Sequence, residues 1–223
     1  MTPMTQTVTR PREAVLATNS LIRNTYILLS LTLLFSAAMA AVAMVTNAPP
    51  LNVWLVLIGY FGLLFVTSAL RNSGWGLLSV FALTGFMGYT LGPILNIYIT
   101  TFSNGAQLVA YAMGATGVIF LGLSGYALST RKDFSYMGGF LMAGILVAFL
   151  AAVANIFLAM PALALAVSSV FILLMCGLIL YQTSAMVHGG ETNYIMATIT
   201  LYIAIYNLFT SLLQILGIFG GED

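Results

Sequence analysis

This sequence contains very few charged residues. Of its 223 residues, 5% are Asp, Glu, Lys or Arg, whereas 61% are hydrophobic. Soluble domains carry roughly 25% charged residues, which supply much of their polar surface. Six basic and five acidic side chains cannot cover a globule of this length, but a surface that faces lipid needs no polar cover. We therefore expect an integral membrane protein surrounded by the lipid bilayer.

Other features that the sequence lacks disfavour further classes of function. The net charge is +1 and there is no basic run, so the dense positive surface that nucleic-acid binding requires is missing. The single cysteine, Cys176, can form neither an intrachain disulfide nor a thiolate metal cluster. His188 and Glu191 are too few to specify a metal site. We expect no cofactor and no redox chemistry.

Long apolar runs make up most of the remaining chain. A helix needs roughly 20 apolar residues to cross about 30 Å of hydrocarbon. Seven runs of about this length, free of charged side chains, predict an all-α polytopic membrane protein with seven transmembrane helices. They cover residues 26–45, 53–70, 77–99, 108–128, 137–158, 162–181 and 194–218.

The basic residues all fall on one side of this alternating topology. Connectors 46–52, 100–107 and 159–160, on the other side, contain no charge. Lys and Arg near helix ends stay in the cytoplasm, so we expect a cytoplasmic N-terminus and a periplasmic C-terminus. The six basic residues are Arg10, Arg12, Arg23, Arg71, Arg131 and Lys132.

The two ends of the chain differ from the apolar region between them. Residues 1–22 are polar and rich in Thr, which predicts a flexible cytoplasmic tail. Residues 23–219 then form the transmembrane domain, and residues 220–223 form a short periplasmic C-terminus. A signal peptide is the alternative for the first apolar run. That run extends to Val45, beyond the 7–15 residues typical of a signal core, which favours an uncleaved anchor.

Small residues at helical spacing indicate where helices pack closely. Gly88 and Gly92 form a GxxxG pattern on the third span, and Pro93 predicts a kink there. A direct role in function is the alternative for these residues, but packing is the simpler interpretation. Similar pairs on spans four and five are Ala110 with Gly114, and Gly139 with Ala143.

One short motif resembles a catalytic serine site. Ser124 lies in a Gly-Leu-Ser-Gly stretch, and a serine nucleophile requires a base. His188 is the single histidine and follows span six, so an intramembrane serine hydrolase is a remote alternative. We expect instead that the Ser124 hydroxyl bonds the carbonyl four residues earlier, and that the protein is not an enzyme.

The loop around His188 has a structural interpretation. Two glycines, at 189 and 190, should end the helix of span six, and Glu191, Thr192 or Asn193 should cap the start of span seven. The alternative is a regulatory proton site on His188, because histidine titrates near physiological pH.

The apolar spans contain amides but no ionisable acid. Asn96, Asn155, Asn207 and Gln214 should form hydrogen bonds between helices. An ion or solute leak channel built around the third span is the alternative. Ion pathways, however, normally contain carboxylates or histidines within the helices. The acidic residues, all outside the spans or at their ends, are Glu13, Asp133, Glu191, Glu222 and Asp223.

Several motifs together resemble the Bax inhibitor-1 superfamily. The stretch 85–95, GFMGYTLGPIL, resembles its glycine-proline signature, and 188–195, HGGETNYI, resembles the loop before its last helix. The sequence LYIAIYNLF at 201–209 resembles its C-terminal helix. The resemblance implies a seven-helix bundle of the Bax inhibitor-1 type.

Within that superfamily, four stretches resemble a bacterial branch. That likeness implies an inner-membrane protein that binds and restrains the membrane-anchored, ATP-dependent protease FtsH, with the regulators of that protease as further candidate partners. It leaves the state of homo-oligomerisation open. We expect cytoplasmic contacts at Arg131, Lys132, Asp133, His188 and Glu191. The four stretches are 23–26, 130–133, 142–144 and 153–158.

Other superfamily members are calcium leak channels that are gated by a pair of aspartates on the last two helices. By motif alignment the first aspartate corresponds to Gln182 and the second to Ala204. Neither side chain can ionise, so a pH switch based on a shared proton has no titrating group here. The resemblance therefore does not carry calcium leak over to this chain.

Overall fold

The computed structural model describes residues 9–221 of the chain. These residues form seven α-helices and one short 3-10 helix, and no strand occurs among them. All seven helices are long and apolar enough to cross a membrane, which confirms the predicted all-α, seven-span fold. The helices are α1 Thr9–Val45, α2 Val53–Leu70, α3 Trp75–Thr101, α4 Gly105–Thr130, α5 Gly138–Leu158, α6 Pro161–His188 and α7 Tyr194–Gly220, and the 3-10 helix covers Ser135–Met137.

The last helix lies at the centre of the bundle. α7 packs against α1, α3, α4 and α6. Helices α2 and α5 are peripheral: α2 packs on α3 and α5 on α6, and each has few buried residues. Because a hydrocarbon solvent supplies no drive to bury apolar side chains, helices that are apolar all round can remain at the periphery. The buried part of the protein is therefore organised around α7.

The closest helix pair is α1 with α3, and glycines of α3 make it possible. A Cβ atom added at Gly88 would collide with the backbone carbonyl of Ser36 on α1. A Cβ atom at Gly92 would lie 2.5 Å from the Ala43 Cβ and 2.6 Å from the Ala40 carbonyl oxygen. Close backbone approach of this kind is how membrane helices gain packing contacts.

The remaining small-residue predictions have mixed outcomes. Pro93 lies inside α3, which continues as one helix to Thr101. A Cβ atom at Gly114 or Gly139 would meet nothing within 4 Å among the described residues. The expected seams at these two positions were therefore wrong, since spacing alone does not tell which face of a helix meets a neighbour. On α5 it is Gly144 that approaches another helix, at α6.

Two helices extend further than the sequence indicated. Residues 9–22, expected to belong to an unstructured tail, form the first turns of α1. Pro11 does not prevent this, because the N–H groups of a first helical turn have no intrahelical partner. The predicted sixth span ended at Tyr181, whereas α6 continues as a helix through residues 182–188, up to the two glycines. Residues 1–8 and 222–223 lie outside the described part of the chain.

The α1–α3 contact gives a test of the fold. We expect Gly88→Ala to destabilise the protein by about 1–3 kcal/mol, because the added methyl meets backbone that cannot rotate away. Gly114→Ala is the matched control, and it should be neutral or slightly stabilising because alanine favours the helix by about 1 kcal/mol. Thermal unfolding of both variants in detergent measures the difference. Equal unfolding midpoints would contradict the close contact.

Candidate functional site

Three connectors meet at one end of the bundle, together with the N-terminal part of α1. They are residues 71–74 between α2 and α3, residues 131–137 between α4 and α5, and residues 189–193 between α6 and α7. We call this the basic end, because Arg23, Arg71, Arg131 and Lys132 lie there. The connectors at the opposite end carry no charge.

The hydroxyl of Ser184 fixes the connector between α4 and α5. Ser184 is buried near the end of α6, and its Oγ donates to the Lys132 carbonyl at 3.1 Å. The same oxygen accepts a hydrogen bond from the Phe134 N–H at 3.0 Å. The His188 Nδ1 lies 3.0 Å from the Ser184 carbonyl oxygen and donates to it when protonated. One serine therefore joins the backbone on both sides of Asp133 to α6.

The connector between α6 and α7 is held by its own side chains. Gly189 ends α6 with φ of +79°, a conformation that glycine adopts without steric cost. The Glu191 Oε1 accepts hydrogen bonds from the N–H groups of Thr192 at 2.8 Å and Asn193 at 2.7 Å. The carboxylate thus turns back onto the backbone ahead of the positive end of the α7 dipole.

Asn193 joins this connector to the one between α2 and α3. Its Oδ1 accepts from the N–H groups of Ile195 and Met196, which makes Asn193 the N-cap of α7, as the sequence indicated. Its Nδ2 donates to the Arg71 carbonyl at 3.1 Å and to the Asn72 Oδ1 at 2.8 Å. All three connectors of the basic end are therefore tied to α6 or α7 by hydrogen bonds.

The residues that we expect to contact a partner differ in their exposure at this end. Arg131, Lys132, Asp133 and His188 are exposed, and Ser184 brings the first three next to His188. The Lys132 Nζ lies 5.9 Å from the centre of the Tyr126 ring, within cation–π range. Glu191 is half-buried and engaged with backbone. The exposed charges thus project from a fixed backbone.

Neighbouring groups stabilise the ionised form of Asp133. The Ser135 N–H donates to the Asp133 Oδ1 at 2.9 Å. This hydrogen bond lowers the pKa of the Asp133 carboxyl below its ordinary value, with further lowering from the Ser135 hydroxyl and from the charge of His188. Asp133 is therefore ionised at neutral pH and presents a negative charge between Lys132 and the start of the 3-10 helix.

The serine of the protease-like motif has other partners than histidine. The Ser124 hydroxyl is hydrogen-bonded to the Tyr26 hydroxyl and lies 3.3 Å from the Thr183 Oγ1. The expected bond to its own helix was wrong, since Ser124 is buried where α1 and α6 offer hydroxyls. His188 is hydrogen-bonded to Ser184. Within the described part of the chain, Ser124 therefore joins three helices and has no hydrogen bond to His188.

The two positions that the sequence resemblance aligned with the superfamily's aspartates lie in the interior. Gln182 is 5% exposed and Ala204 is fully buried. Gln182 belongs to α6 rather than to a loop, because that helix continues to His188. Its Nε2 is buried without a hydrogen-bond partner among the described residues. Neither of these two side chains can carry a charge.

The amides of the spans do not line one path. Asn96 and Asn47 are 3.5 Å apart at the uncharged end, and the Asn155 Oδ1 accepts from the Met160 N–H at the end of α5. Asn207 donates to its own helix, at the Ile203 carbonyl. Gln214 does join two helices, by accepting from the Ser168 hydroxyl at 2.6 Å. Among residues 9–221, no group of three His, Cys, Asp or Glu side chains could hold a metal ion.

Comparison with known proteins gives consistent matches along the chain. A family model described as "Inhibitor of apoptosis-promoting Bax1" matches residues 18–221. The chain is 52% identical to the Escherichia coli protein named Modulator of FtsH protease YccA, over an alignment of 212 residues that covers 95% of each sequence. It is 55% identical over 205 residues to an uncharacterised protein of Pseudomonas aeruginosa, covering 92% of each. A Neisseria meningitidis relative is 35% identical over 216 residues, 92% of this chain and 93% of that one.

Sequence reasoning missed Ser184, because its partners lie 50 and 52 residues away and no local pattern marks it. We expect Ser184→Ala to leave a backbone N–H and a carbonyl without their partners, which costs about 1–3 kcal/mol and loosens residues 131–135. Hydrogen exchange of these amides in detergent should be faster. Ser169→Ala is the control, because that exposed hydroxyl bonds its own helix. Unchanged exchange in the Ser184 variant would contradict this role.

Proposed function

Because the chain belongs to the Bax inhibitor-1 family, we propose that it binds a membrane-anchored, ATP-dependent protease of the FtsH type and restrains its action on membrane proteins. The observation that carries the proposal is the likeness, over nearly the whole chain, to a relative named as a modulator of FtsH. A relative with the same identity to this chain is named as an inner membrane protein. That likeness and the seven spans make this chain a multi-pass protein of the bacterial inner membrane. Regulators associated with the protease are candidate partners as well.

We propose that the basic end faces the cytoplasm. Four basic residues lie there among the described side chains, whereas connectors 46–52, 102–104 and 159–160 have no charge. Positive residues next to short loops are retained on the cytoplasmic side. The N-terminus is then cytoplasmic, and α7 ends at the periplasmic side.

The contact surface that we propose consists of Arg131, Lys132, Asp133 and His188. These side chains are exposed, and the backbone that carries the first three is fixed by Ser184. A surface that is ordered before binding loses little conformational entropy on association. Charges of both signs, close together, give a partner a pattern to match and so favour specificity. Glu191 lies outside this surface, because its carboxylate accepts hydrogen bonds from the backbone of Thr192 and Asn193.

Action by contact, without catalysis, agrees with the chemistry of the interior. The serine of the protease-like motif is used in a hydroxyl network between helices, and a nucleophile needs an adjacent base to become reactive. Restraint of a protease requires a binding surface and no reaction, which is what the basic end offers.

The proposed surface predicts a specific loss of binding. We expect the double variant Arg131→Gln with Lys132→Gln to weaken association with the protease about fivefold to thirtyfold, since two exposed charge contacts contribute up to about 1 kcal/mol each. Co-purification from native membranes at constant salt measures this association. A photoreactive residue placed at position 132 should form a cross-link to the protease.

A matched control separates binding from topology, because removal of basic residues can also change orientation. The variant Arg23→Gln with Arg71→Gln removes the same number of charges from the same end, outside the proposed surface. It should keep its association. Equal losses in both double variants, or cross-links that come instead from Thr100 at the uncharged end, would count against the proposed surface.

The alternative function, a calcium leak, gives a different expectation. The positions of the superfamily's aspartates hold Gln182 and Ala204, so the interior has no group there that can titrate. We expect purified protein in liposomes to show no calcium flux that changes between about pH 5 and 8. Calcium indicator inside the vesicles measures this, with protein-free vesicles as the control. A strong, acid-dependent flux would replace the contact proposal by a channel.

A further inference from the structure

The two peripheral helices enclose a space between them. Within residues 9–221, α2 is packed on α3 and α5 on α6, and α2 and α5 approach each other through aromatic side chains. Trp54 and Phe157 have ring centres 6.0 Å apart. Phe61 and Phe149 meet edge to face at 5.5 Å. These contacts join the two helices at ring tips while their backbones stay apart.

Behind the rings lies a cavity of about 650 Å³. Side chains of five helices line it, and its floor includes two buried methionines, Met87 of α3 and Met175 of α6. Phe61, Met142 and Leu146 line it as well and are exposed, so its mouth lies along α2 and α5, on the side of the bundle that faces the hydrocarbon. The cavity is therefore open to the membrane rather than to water.

The size of the cavity limits what can occupy it. One turn of a helix, about 10 Å wide and 5.4 Å high, fills roughly 420 Å³, so the cavity holds about one and a half turns. A spanning helix of a partner or of a second copy has more than five turns. The space is therefore too small for a protein segment and is of the size that holds a small ligand.

The lining of the cavity is too apolar for water to be its main content. A buried water needs two to four polar partners, and the lining offers few polar side chains for this volume: Tyr60, Tyr181 and Asn207. Asn207 already donates its Nδ2 to the Ile203 carbonyl. An empty apolar cavity would be unfavourable in proportion to its volume. The content should thus be apolar, flexible and supplied by the bilayer.

We propose that this cavity binds one acyl chain of a membrane phospholipid, inserted between α2 and α5. The cavity follows α5 from Gly138 to Phe149, a distance of about 16 Å at 1.5 Å per residue, which suits an extended chain lying along the helix. Met87 and Met175 give the floor adaptable, polarizable contacts. The proposal does not depend on the protease function.

The aromatic pairs define how the chain enters. Because α2 and α5 are joined at this point by ring contacts, rotation of Phe61 and Phe149 opens the mouth without separating packed backbones. An edge-to-face ring contact adds little stability beyond the area that it buries, so the mouth can open without loss of the packed core. An inserted chain would exchange with the bilayer through this side opening.

A photoreactive lipid tests the proposal on the intact protein. The protein is reconstituted in vesicles of phosphatidylethanolamine and phosphatidylglycerol that contain a trace of phosphatidylethanolamine with a diazirine on its acyl chain. After illumination, mass spectrometry of peptides should find adducts at Met87 and Met175. These two side chains are 7% and 1% exposed, so lipid on the outer surface labels them poorly, and their labelling reports an inserted chain.

Two variants of α5 sharpen the result. Ile145→Trp fills the cavity that Ile145 lines and should abolish the adducts at both methionines. Leu150→Trp adds the same ring to an exposed position outside this lining and should preserve them. Adducts confined to exposed side chains in the unmodified protein would overturn the proposal even if Ile145→Trp fails to fold. Equal methionine labelling in both variants would do so too, as would cross-linking of a photoreactive residue at Phe149 to another polypeptide.

Discussion

The structure depends on the absence of water in the hydrocarbon core, where a polar group without a partner in the protein is costly. Helices satisfy the backbone, and the hydroxyl groups on them must be satisfied one by one. The clearest case is Tyr202 of α7, which is 1% exposed and whose hydroxyl donates to the Thr84 carbonyl at 3.2 Å and accepts from the Ser36 hydroxyl at 2.6 Å. That bond network joins α1, α3 and α7, and the backbones of α1 and α3 also approach each other closely at Gly88. Hydrogen bonding and close packing therefore select one arrangement of the inner helices, while α2 and α5 remain at the edge.

Much of this fold could be predicted from the sequence, because the thickness of the bilayer sets the length of each apolar run. The seven spans, the Asn193 cap and the glycine contact of α3 follow from local patterns. The helix ends were less predictable. The predicted sixth span stops at Tyr181, yet α6 stays helical up to Gly189, and Thr183 and Ser184 find partners on α4 and on the connector before α5.

At the candidate site, too, some residues could be recognised from the sequence around them, whereas others depend on partners far away in the chain. The exposed charges at 131–133 are visible in the sequence, but the serine that holds their backbone is 50 residues away, and its neighbours in the chain are ordinary residues of a helix. Gly114 and Gly139 show the opposite error, since their spacing resembles that of Gly88 and Gly92 while their surroundings are open. Local spacing identifies residues that can pack or bind, and the partner that uses them is set by the three-dimensional arrangement.

At the level of Gln182 and Ala204, the positions that the resemblance aligns with an aspartate pair, α6 and α7 carry no carboxylate. A carboxylate pair inside a bundle makes the packing of the last two helices depend on pH, because like charges at close range cannot both ionise. With Gln182 and Ala204 in those places, the packing of α6 on α7 is independent of protonation at that level. Among the side chains that the structure describes, the carboxylates Asp133 and Glu191 and the imidazole of His188 lie at the basic end, where the connectors are held to α6 and α7. A charged partner that binds there meets backbone that Ser184 and Asn193 hold in place by hydrogen bonds.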